Sequence, residues 1–480
     1  MDVRSLNALA ETWRSTADAT GRFVPGFDRD SVSLDGVNFS DLETWGGSAR
    51  LRWDFGQYSL YAITGYETLE SLNRGDIDGG FGAAFLPVSG PGFIPFAAES
   101  ADGIPDHKQI TQEVRLESNL DGPFDWQAGA FWFREELTVD SLNYDSLTPG
   151  NPQTGHAVQE QRNTAWALFA SGEYDVSEKL KLRGGLRYTQ DRKDFSASVL
   201  QAVPFGTPVG GPFFETTDVD DISWDASAVY ELDDDVNVYG RVAKGFRAPS
   251  IQGRLAFGGI SVADSEEVIS YEIGIKADLW DRRGRIGFNL FRYNVDGQQL
   301  IAVGGATNQA ILLNADRSIG QGAELDLQAW LTDSLLVTWG TSYNDTEIRD
   351  PNLAVAVCGG GCTVTDPTVN GFALVDGNPL PQAPKWIHNL TARWATPVGD
   401  DAEFYVYTDW AYRGQVNFFL YESQEFRGRS TLEGGLRVGT NWNQGTYDLA
   451  VFGRNITDST RIVGGIDFNN LTGDRKHTSE

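Results

Sequence analysis

The chain has 480 residues and a formal net charge of −29, because 67 acidic side chains face only 38 basic ones. Such acidity argues against a nucleic-acid partner, since phosphate recognition needs a basic surface that this sequence does not offer. Mean hydropathy is −0.32, and no uncharged apolar run reaches the length of about 18 residues that a membrane helix needs. The uncharged stretch 79–98 is broken by three prolines and is predicted as a loop.

Alternation of apolar and polar residues is the main pattern of the chain. In the run 271–279, the apolar residues Tyr271, Ile273 and Ile275 occupy odd positions, and the charged residues Glu272 and Lys276 occupy even positions. A period of two predicts a β-strand with one apolar and one polar face. Helical periodicity sustained over several turns is absent, so the sequence predicts an all-β protein.

Sixteen segments of this kind follow one another and form eight predicted hairpins. In chain order they are 49–55, 58–67, 112–118, 126–132, 166–176, 180–188, 224–232, the segment from 236, 271–279, the segment after the turn 280–284, 324–331, 335–343, 386–394, 404–412, 432–442 and 447–451. Residues 1–47 have no sustained alternation and are predicted as loop. Long connections include 297–318 and 347–384.

Every predicted hairpin closes with a short turn and joins the next hairpin through a long loop. This arrangement indicates an antiparallel transmembrane β-barrel with short periplasmic turns and long extracellular loops. Aromatic residues near the short turns fit a girdle at the lipid headgroups; these are Trp126, Tyr174, Tyr230, Trp280, Trp330, Trp394, Trp442 and Tyr447. A soluble β-sandwich or β-solenoid remains an alternative, because it also alternates.

The barrel interpretation predicts which side chains meet lipid and which face the lumen. The apolar set should point outward and comprises Leu180, Leu182, Leu186, Tyr271, Ile273, Ile275, Leu325, Leu327, Val337 and Trp339. The charged set should point inward and comprises Lys181, Arg183, Glu272, Lys276, Glu324 and Asp326. Because a slip of one residue exchanges the two faces, both sets are correct or both are wrong.

Five short motifs resemble those of TonB-dependent outer-membrane receptors, in the family's order. They are the segment 238–249 (VYGRVAKGFRAP), Ser270–Lys276 (SYEIGIK), Gly322–Asp326 (GAELD), Gly185–Thr189 (GLRYT) and Phe452–Asp458 (FGRNITD). The segments 59–66 and 112–116 also have counterparts in receptors for iron siderophores. The resemblance covers about residues 48–458 and is similar to the β-barrel portion of the family.

The resemblance implies a receptor-transporter that takes up a scarce nutrient, with a ferric siderophore as the expected substrate. Its partners would be outer-membrane lipid, the small-molecule substrate and the TonB complex, which acts on a plug and a TonB box. The sequence shows neither of these segments and no secretory signal after Met1. We therefore expect 1–47 to be an extracellular loop remnant, 48–458 an incomplete barrel and 459–480 a loop or truncated tail.

The family barrel has twenty-two strands, of which this chain offers about sixteen. We expect its first and last strands, at 48–55 and 446–454, to pair with strands that the chain lacks. The sheet should then be open or close with a gapped seam, since closure requires consistent strand number, tilt and shear. A passive porin-like channel and an adhesin or soluble β-rich surface protein remain the alternative functions.

Candidate chemistry is sparse, and no nucleophile–base constellation indicates an enzyme. Cys358 and Cys362 favour a local disulfide at a loop tip over a metal site. The segment 246–249 (FRAP) resembles half of a haem-receptor box, but 250–270 lacks the family's His and NPxL element, so haem is disfavoured. The residues expected to be structural are His107, His156, His388 and His477, the turn 233–235 and the glycine-rich segment 257–259. No cofactor or metal is predicted, and the ligand-binding residues are unknown.

Overall fold

A computed structural model gives the fold and describes residues 36–76, 99–145, 148–203, 206–255, 258–304, 309–358, 363–424, 426–468 and 474–479. The described elements are all β-strands. In chain order they are β1 (Phe39–Phe55), β2 (Tyr58–Asp76), β3 (Glu99–Ser118), β4 (Phe124–Tyr144), β5 (Gln153–Ser177), β6 (Leu180–Gln201), β7 (Gly210–Asp233), β8 (Val236–Arg247), β9 (Ser250–Gln252), β10 (Ser261–Ala263), β11 (Glu266–Leu279), β12 (Gly284–Gly304), β13 (Gln309–Thr332), β14 (Leu335–Arg349), β15 (Ala354–Ala356), β16 (Thr368–Val369), β17 (Phe372–Leu374), β18 (Trp386–Val398), β19 (Ala402–Arg413), β20 (Val416–Asn417), β21 (Arg427–Gly428), β22 (Thr431–Trp442), β23 (Tyr447–Gly453), β24 (Ile462–Phe468) and β25 (Asp474–Ser479).

Sixteen of these strands form one antiparallel sheet in the order β1-β2-β3-β4-β5-β6-β7-β8-β11-β12-β13-β14-β18-β19-β22-β23. The predicted all-β class, strand number and hairpin order are therefore confirmed. Consecutive sheet strands are always neighbours, as the predicted succession of hairpins requires. The remaining short strands form four small sheets.

Several strands continue well beyond the segments that alternation predicted. β1 begins at Phe39, so 39–47 are strand rather than the predicted loop, and they pair with β2 from Phe39↔Arg74 onward. The predicted long connection 297–318 is also wrong, because β12 and β13 continue to Gly304 and from Gln309. Backbone ladder bonds extend these strands although strict apolar–polar alternation is lost there, as in the unbroken apolar run 300–303. In the predicted tail, β24 and β25 pair as a hairpin.

The sixteen-stranded sheet is open. β1 pairs only with β2 and β23 only with β22, so no ladder joins the two ends of the strand order. The expected absence of a β1–β23 ladder is thus confirmed. Val451 is 81% exposed and Leu449 is 68% exposed on the last strand, which leaves an apolar edge without a neighbour among the described strands.

The two faces of the sheet differ as predicted. Cross-strand partners share a face, and the row Arg183–Ser227–Arg241–Glu272 is continuous across four strands. On the opposite face Ile273 is 63% exposed. The predicted inward residues Lys276 and Asp326 line a concave space of about 1000 Å³, to which the predicted outward residues Leu327 and Trp339 also contribute. We call this concave polar face the inner wall, and the opposite apolar face the outer face.

The height of the apolar band on the outer face can be measured along β4. Outward positions run from Phe124 and Trp126 to Trp132, after which Arg134 and Glu136 begin a charged zone. The eight steps from Phe124 to Trp132 span roughly 20–27 Å, depending on strand tilt. That height matches the hydrocarbon band of an outer-membrane barrel, which is about 25 Å tall.

Candidate functional site

The inner wall carries tyrosines that are enclosed by cationic side chains. Tyr61 is only 6% exposed, and the guanidinium groups of Arg50 and Arg115 both lie 5.1 Å from its ring centroid. Arg52 contributes a third contact at 5.6 Å. Arg50 and Arg52 are exposed, and a cation over an aromatic ring at an exposed site stabilises by about 0.5–1 kcal/mol, so this cluster contributes modestly to the stability of the inner wall near β1–β3.

A second enclosed tyrosine lies near the other edge of the sheet. Tyr405 is 5% exposed, and its hydroxyl donates to Asp448 Oδ2 at 2.9 Å while Arg437 Nε donates to the same hydroxyl at 2.7 Å. Arg393 lies 5.2 Å from the ring centroid. Both edges of the open sheet therefore present a tyrosine–arginine cluster on the inner wall.

A third cluster joins two of the motifs noted in the sequence. Tyr239, from the segment 238–249, donates its hydroxyl to Glu272 Oε1 at 2.5 Å. The ring lies over Gly274, where an added Cβ would approach it to 2.5 Å, and Lys276 lies 5.5 Å from the ring centroid. The glycine at 274 thus leaves room for the tyrosine of the neighbouring strand, and the glutamate receives its hydroxyl.

The end of the inner wall near the short turns is acidic. The concave space is lined there by the carboxylates of Glu231, Asp233, Asp234, Asp235, Asp278 and Asp326, with Lys276 and Arg285 as the cations. The predicted turn chemistry is present at 233–235, because the Asp235 N–H donates to Asp233 Oδ1 at 3.0 Å. Opposite ends of the wall therefore differ in chemistry.

The other end carries a folded structure that we call the cap, comprising the described residues 350–358, 363–385, 414–424 and 426–430. Its two segments share an apolar core with the ends of β12–β14, formed by Leu300, Ala315, Ile348, Val355, Cys358, Ala373, Val375, Leu420, Tyr421 and Phe426. Asn378 Nδ2 donates to the Leu420 carbonyl at 2.9 Å, and β15, β16 and β17 form a three-stranded sheet. The cap is thus a small packed unit rather than two separate loops.

A carboxylate holds the two cap segments together. Asp366 Oδ2 accepts the Glu422 N–H at 2.6 Å. Burial raises the pKa of Asp366, and the hydrogen bonds from the Glu422 backbone and the Asn378 side chain oppose that shift only in part. Protonation of the Asp366 carboxylate is therefore coupled to packing of the cap, because burial of this group disfavours its charged form.

A second inward-folded segment, which we call the strap, spans 248–263 between β8 and β11. Its β9 and β10 pair with each other, and Ser261 Oγ accepts the Leu312 N–H at 3.1 Å. Gln299 Nε2 joins the two ends of the strap, because it donates to the carbonyls of Ala248 at its start and of Asp264 just beyond its end, both at 2.9 Å. Towards its middle, Leu255 is 1% exposed in a cluster with Phe195, Ala197 and Val199.

The candidate residues from the sequence lie apart. Cys358 is 7% exposed within the cap core and is disulfide-bonded, while Cys362 lies outside the described residues, so their pairing remains a prediction. Arg247 of the FRAP segment contacts Glu266 at 3.3 Å. Phe257 lies outside the described residues as well.

The histidines do not converge on one site. His107 Nε2 lies 3.2 Å from Glu135 Oε1, and His156 Nε2 lies 3.0 Å from Asp140 Oδ1. His388 lies between the rings of Trp386 and Tyr412 on the outer face, and the side chain of His477 lies outside the described part of the chain. Within the described ranges, no group of three or more His, Cys, Asp or Glu side chains could hold a metal. No helix among the described residues is long and apolar enough to cross a membrane.

Sequence reasoning missed the cap and the enclosed tyrosines. A signal for the cap existed in the apolar segment 416–421, which lacks a period of two although it lies between strands. The tyrosine clusters had no comparable signal, because alternation does not specify which side chains meet across strands, either within one hairpin, as for Arg52 and Tyr61, or between distant strands. Tyr405 and Asp448, for example, are joined only through strand pairing.

Two curated receptors are similar in sequence to part of this chain. The metal-pseudopaline receptor CntO of Pseudomonas aeruginosa is 26% identical over 198 residues, which is 40% of this chain and 25% of that protein. The pesticin receptor of Yersinia pestis is 24% identical over 226 residues, or 46% of this chain and 31% of that protein. The chain thus spans about a quarter to a third of the length of these curated relatives.

Solved structures show the same fold at low identity. The ferric yersiniabactin uptake receptor FyuA from Yersinia pestis has a TM-score of 0.64 and 16% identity, covering 89% of this chain and 57% of that one. The siderophore receptor PiuA from Acinetobacter baumannii has a TM-score of 0.64 and 15% identity, covering 92% of this chain and 64% of that one.

The family model for the β-barrel of TonB dependent receptor-like proteins matches residues 2–456. This match covers nearly the whole chain and includes all sixteen strands of the large sheet. The chain therefore belongs to the TonB dependent receptor-like β-barrel family, a family of transport receptors in the outer membrane of Gram-negative bacteria.

Proposed function

We propose that this chain is the β-barrel part of a receptor that takes up a scarce metal chelate, most simply a ferric siderophore, with energy from TonB. The observation that carries the proposal is the unequal structure of the two ends of the wall. One end has turns of only a few residues, whereas the other carries the cap and the strap, whose apolar side chains pack against the wall strands. Folded structure at one end suits a receptor that binds its solute there before admitting it.

The inner wall supplies the second support. Its polar face with enclosed tyrosines and charged rows offers hydrogen-bonding groups along the path of a hydrophilic solute. The relatives named above are receptors for metal-pseudopaline and pesticin, and the structural neighbours for ferric yersiniabactin and siderophores. These names support a metal-chelate substrate for this chain by family likeness.

In the proposed mechanism, solute binds at the cap and at the outer surface of a plug that occupies the lumen. The TonB complex then pulls on the plug, and the solute passes along the inner wall. The plug is not part of the described residues, so the contribution of this chain is the frame, the entrance and the lining. We also propose that the barrel portion runs from Phe39 to about residue 458, and that Cys358 pairs with Cys362 to fix one cap segment.

Uptake of radiolabelled ferric siderophores by iron-starved cells that carry the complete gene product tests this proposal. We expect accumulation that disappears when TonB is deleted and falls when the cap is disrupted by Phe426→Ala. The matched control is Phe288→Ala on the outer face, which pairs with Ile275 and is 39% exposed, and it should leave uptake unchanged. Unspecific passage of small sugars that persists without TonB would instead support the porin alternative and contradict the receptor.

A further inference from the structure

A cluster of polar side chains lies on the inner wall of β5, β6 and β7, on the cap side of the apolar band. Asn163, Lys193 and Thr217 form one row across the three strands, because Asn163 pairs with Lys193 and Lys193 with Thr217. Asp191 precedes Lys193 by two residues on the same face, and Asp221 lies on that face two rows further down, opposite Thr189. We call these five residues, without Thr189, the polar cluster.

Three atoms of the cluster are buried without a hydrogen-bond partner among the described residues: Asn163 Oδ1, Thr217 Oγ1 and Asp221 Oδ1. Asp221 is only 9% exposed, so its second oxygen is withdrawn from water along with the first. A buried polar atom without a partner costs about 1–3 kcal/mol, and more when it is charged. Three such atoms on adjacent strands indicate a surface prepared for a ligand.

The cations nearby are already engaged. Lys193 Nζ lies 2.6 Å from Asp191 Oδ1, and Lys244 Nζ lies 2.7 Å from Asp221 Oδ2 and 3.1 Å from Glu267 Oε2. Three carboxylates therefore face two lysines. What the cluster still offers is acceptor capacity, including an Asp221 carboxylate that shares its lysine with the half-exposed Glu267, which calls for a ligand with N–H donors and positive charge.

The strap forms an apolar roof next to this cluster. Phe195 follows Lys193 by two residues on the same face, and an added Cβ at Gly253 of the strap would approach the Phe195 ring to 2.4 Å. Leu255 closes the same contact with Phe195. Apolar cover beside Lys193 and Thr217 excludes water from that end of the polar cluster, whereas Asp221 lies three rows away from Phe195.

The spacing of the three acceptors decides the shape of the ligand. Thr217 and Asp221 are four residues apart on β7, a separation of roughly 13 Å along an extended strand. Asn163 and Thr217 are two strands apart, or roughly 10 Å. Oxygens that share one metal ion lie within about 5 Å of each other, because each is about 2.3–2.6 Å from the ion. A single metal ion therefore cannot join them.

We propose that the polar cluster is a binding site for an elongated organic polyamine, or for the polyamine-like arm of a larger solute. One ammonium group binds Asp221 Oδ1, and further N–H groups reach Thr217 and Asn163 along the wall. The site itself does not depend on transport. Only the assignment of its ligand to the imported solute rests on the proposed function, and a TonB-independent result in the uptake experiment would leave the binding site untouched.

Calorimetric titration of the purified full-length protein in lipid nanodiscs with spermidine tests the site. We expect saturable binding of one spermidine per protein, and no binding of 1,8-octanediol, which has similar length but no amine. Asp221→Asn should weaken spermidine binding about tenfold, because a charge-assisted hydrogen bond is lost. The matched control is Asp220→Asn, which removes the same charge from the adjacent, exposed position on the opposite face and should leave the affinity unchanged.

Thr217→Val guards against a folding defect in Asp221→Asn, since it removes only a hydroxyl and touches no ion pair. This substitution should weaken spermidine binding several-fold. The shift in electrophoretic mobility on heating, which reports the folded barrel, should be the same as in the unsubstituted protein. The proposal is overturned by an absence of saturable spermidine binding, by equal binding of the diol, or by an equal loss in Asp220→Asn and Asp221→Asn.

Discussion

The wall and the cap are stabilised in different ways. Each wall strand is held by long ladders to its neighbours, such as the 17 residue pairs between β1 and β2, while its outer apolar side chains remain exposed for lipid. The cap has ladders of only two or three pairs. It depends instead on an apolar core of its own, in which Tyr421 and Phe426 are each 1% exposed.

The difference teaches where a substitution will act. In the wall, the effect of a substitution on stability depends on which face of the sheet carries the side chain, because that side chain meets either lipid or the polar lumen. In the cap, the effect depends on how deeply the side chain is buried, because side chains there pack against one another as they do in a soluble protein core. The four predictions that follow test this contrast, beginning with the largest expected effect.

Truncation in the cap core should open the cap without loosening the wall. Phe426 is in edge-to-face contact with Phe419 at a centroid distance of 4.8 Å. Phe426→Ala should therefore lower the free energy of cap opening by about 3–5 kcal/mol. Hydrogen exchange should accelerate in 414–424 and 363–380 and stay unchanged in 386–413. Faster exchange in the wall as well would contradict the separation of the two regions.

A charge placed on the two faces of one strand should have opposite consequences. Leu290 on the outer face and Asn289 on the inner wall are adjacent residues of β12, and Asn289 Nδ2 donates to Glu324 Oε2 at 3.2 Å. Leu290→Lys should destabilise the protein in bilayers by about 2–4 kcal/mol, as a lysine near the midplane does. Asn289→Lys should cost little, because the new ammonium group meets Glu324. Denaturant titration in liposomes measures both, and equal losses would mean that the faces are misassigned.

Filling the space under an inner-wall aromatic ring should lower the free energy of unfolding by less than a lysine on the outer face does. Gly274→Ala would place a Cβ 2.5 Å from the Tyr239 ring, which forces the ring away from Glu272 at a cost of about 1–3 kcal/mol. The control is Gly287→Ala, which has no atom within 4 Å of the new Cβ and lies on the same face. Unfolding midpoints in one series of denaturant concentrations compare the two. A loss in Gly287→Ala as large as that in Gly274→Ala would contradict the role of the ring.

The smallest expected effect concerns pH and the cap. Burial raises the pKa of Asp366 above its ordinary value of 3.8, so the folded cap binds this proton more tightly than the open cap does. Cap stability should therefore rise as pH falls through the raised pKa, and the gain should be complete below pH 3.8. At neutral pH the cap bears the full cost of burying the charged carboxylate.

Asp366→Asn removes this ionisation and keeps an acceptor for the Glu422 N–H. It should stabilise the cap at neutral pH by about 0.5 kcal/mol, a value discounted for partial exposure, and flatten the pH dependence of hydrogen exchange in 363–380. Asp400→Asn, in an exposed turn of the wall, is the control and should leave both unchanged. A steeper pH dependence in Asp366→Asn would refute the assignment.

Sequence alone could predict most of the wall and almost none of the cap, for a physical reason. In β11 the alternation of Tyr271, Glu272 and Ile273 records two different solvents on the two faces of one strand. Beyond the lipid the two faces no longer meet different solvents, so the signal vanishes although the ladder continues. Residues 39–47 are exposed on both faces, whereas 300–303 is apolar throughout and Leu300 packs into the core shared with the cap.

The candidate site was harder to predict because its contacts are long-range. Asp366 and Glu422 lie 56 residues apart, and neither has a sequence signature that names the other. Tyr239 and Gly274 lay within recognisable motifs, but the packing of ring over glycine emerges only when β8 and β11 pair. Family resemblance supplied those motifs, and strand pairing supplied their physical cause.

The long ladders also have a mechanical consequence. A force along the strands loads all hydrogen bonds of a ladder at once, in shear, so the 20 pairs between β12 and β13 resist it together. The small sheets of the cap, with two or three pairs each, yield bond by bond when they are peeled. If a pull is exerted inside this barrel, the wall is the rigid anchor and the cap is the part that gives way.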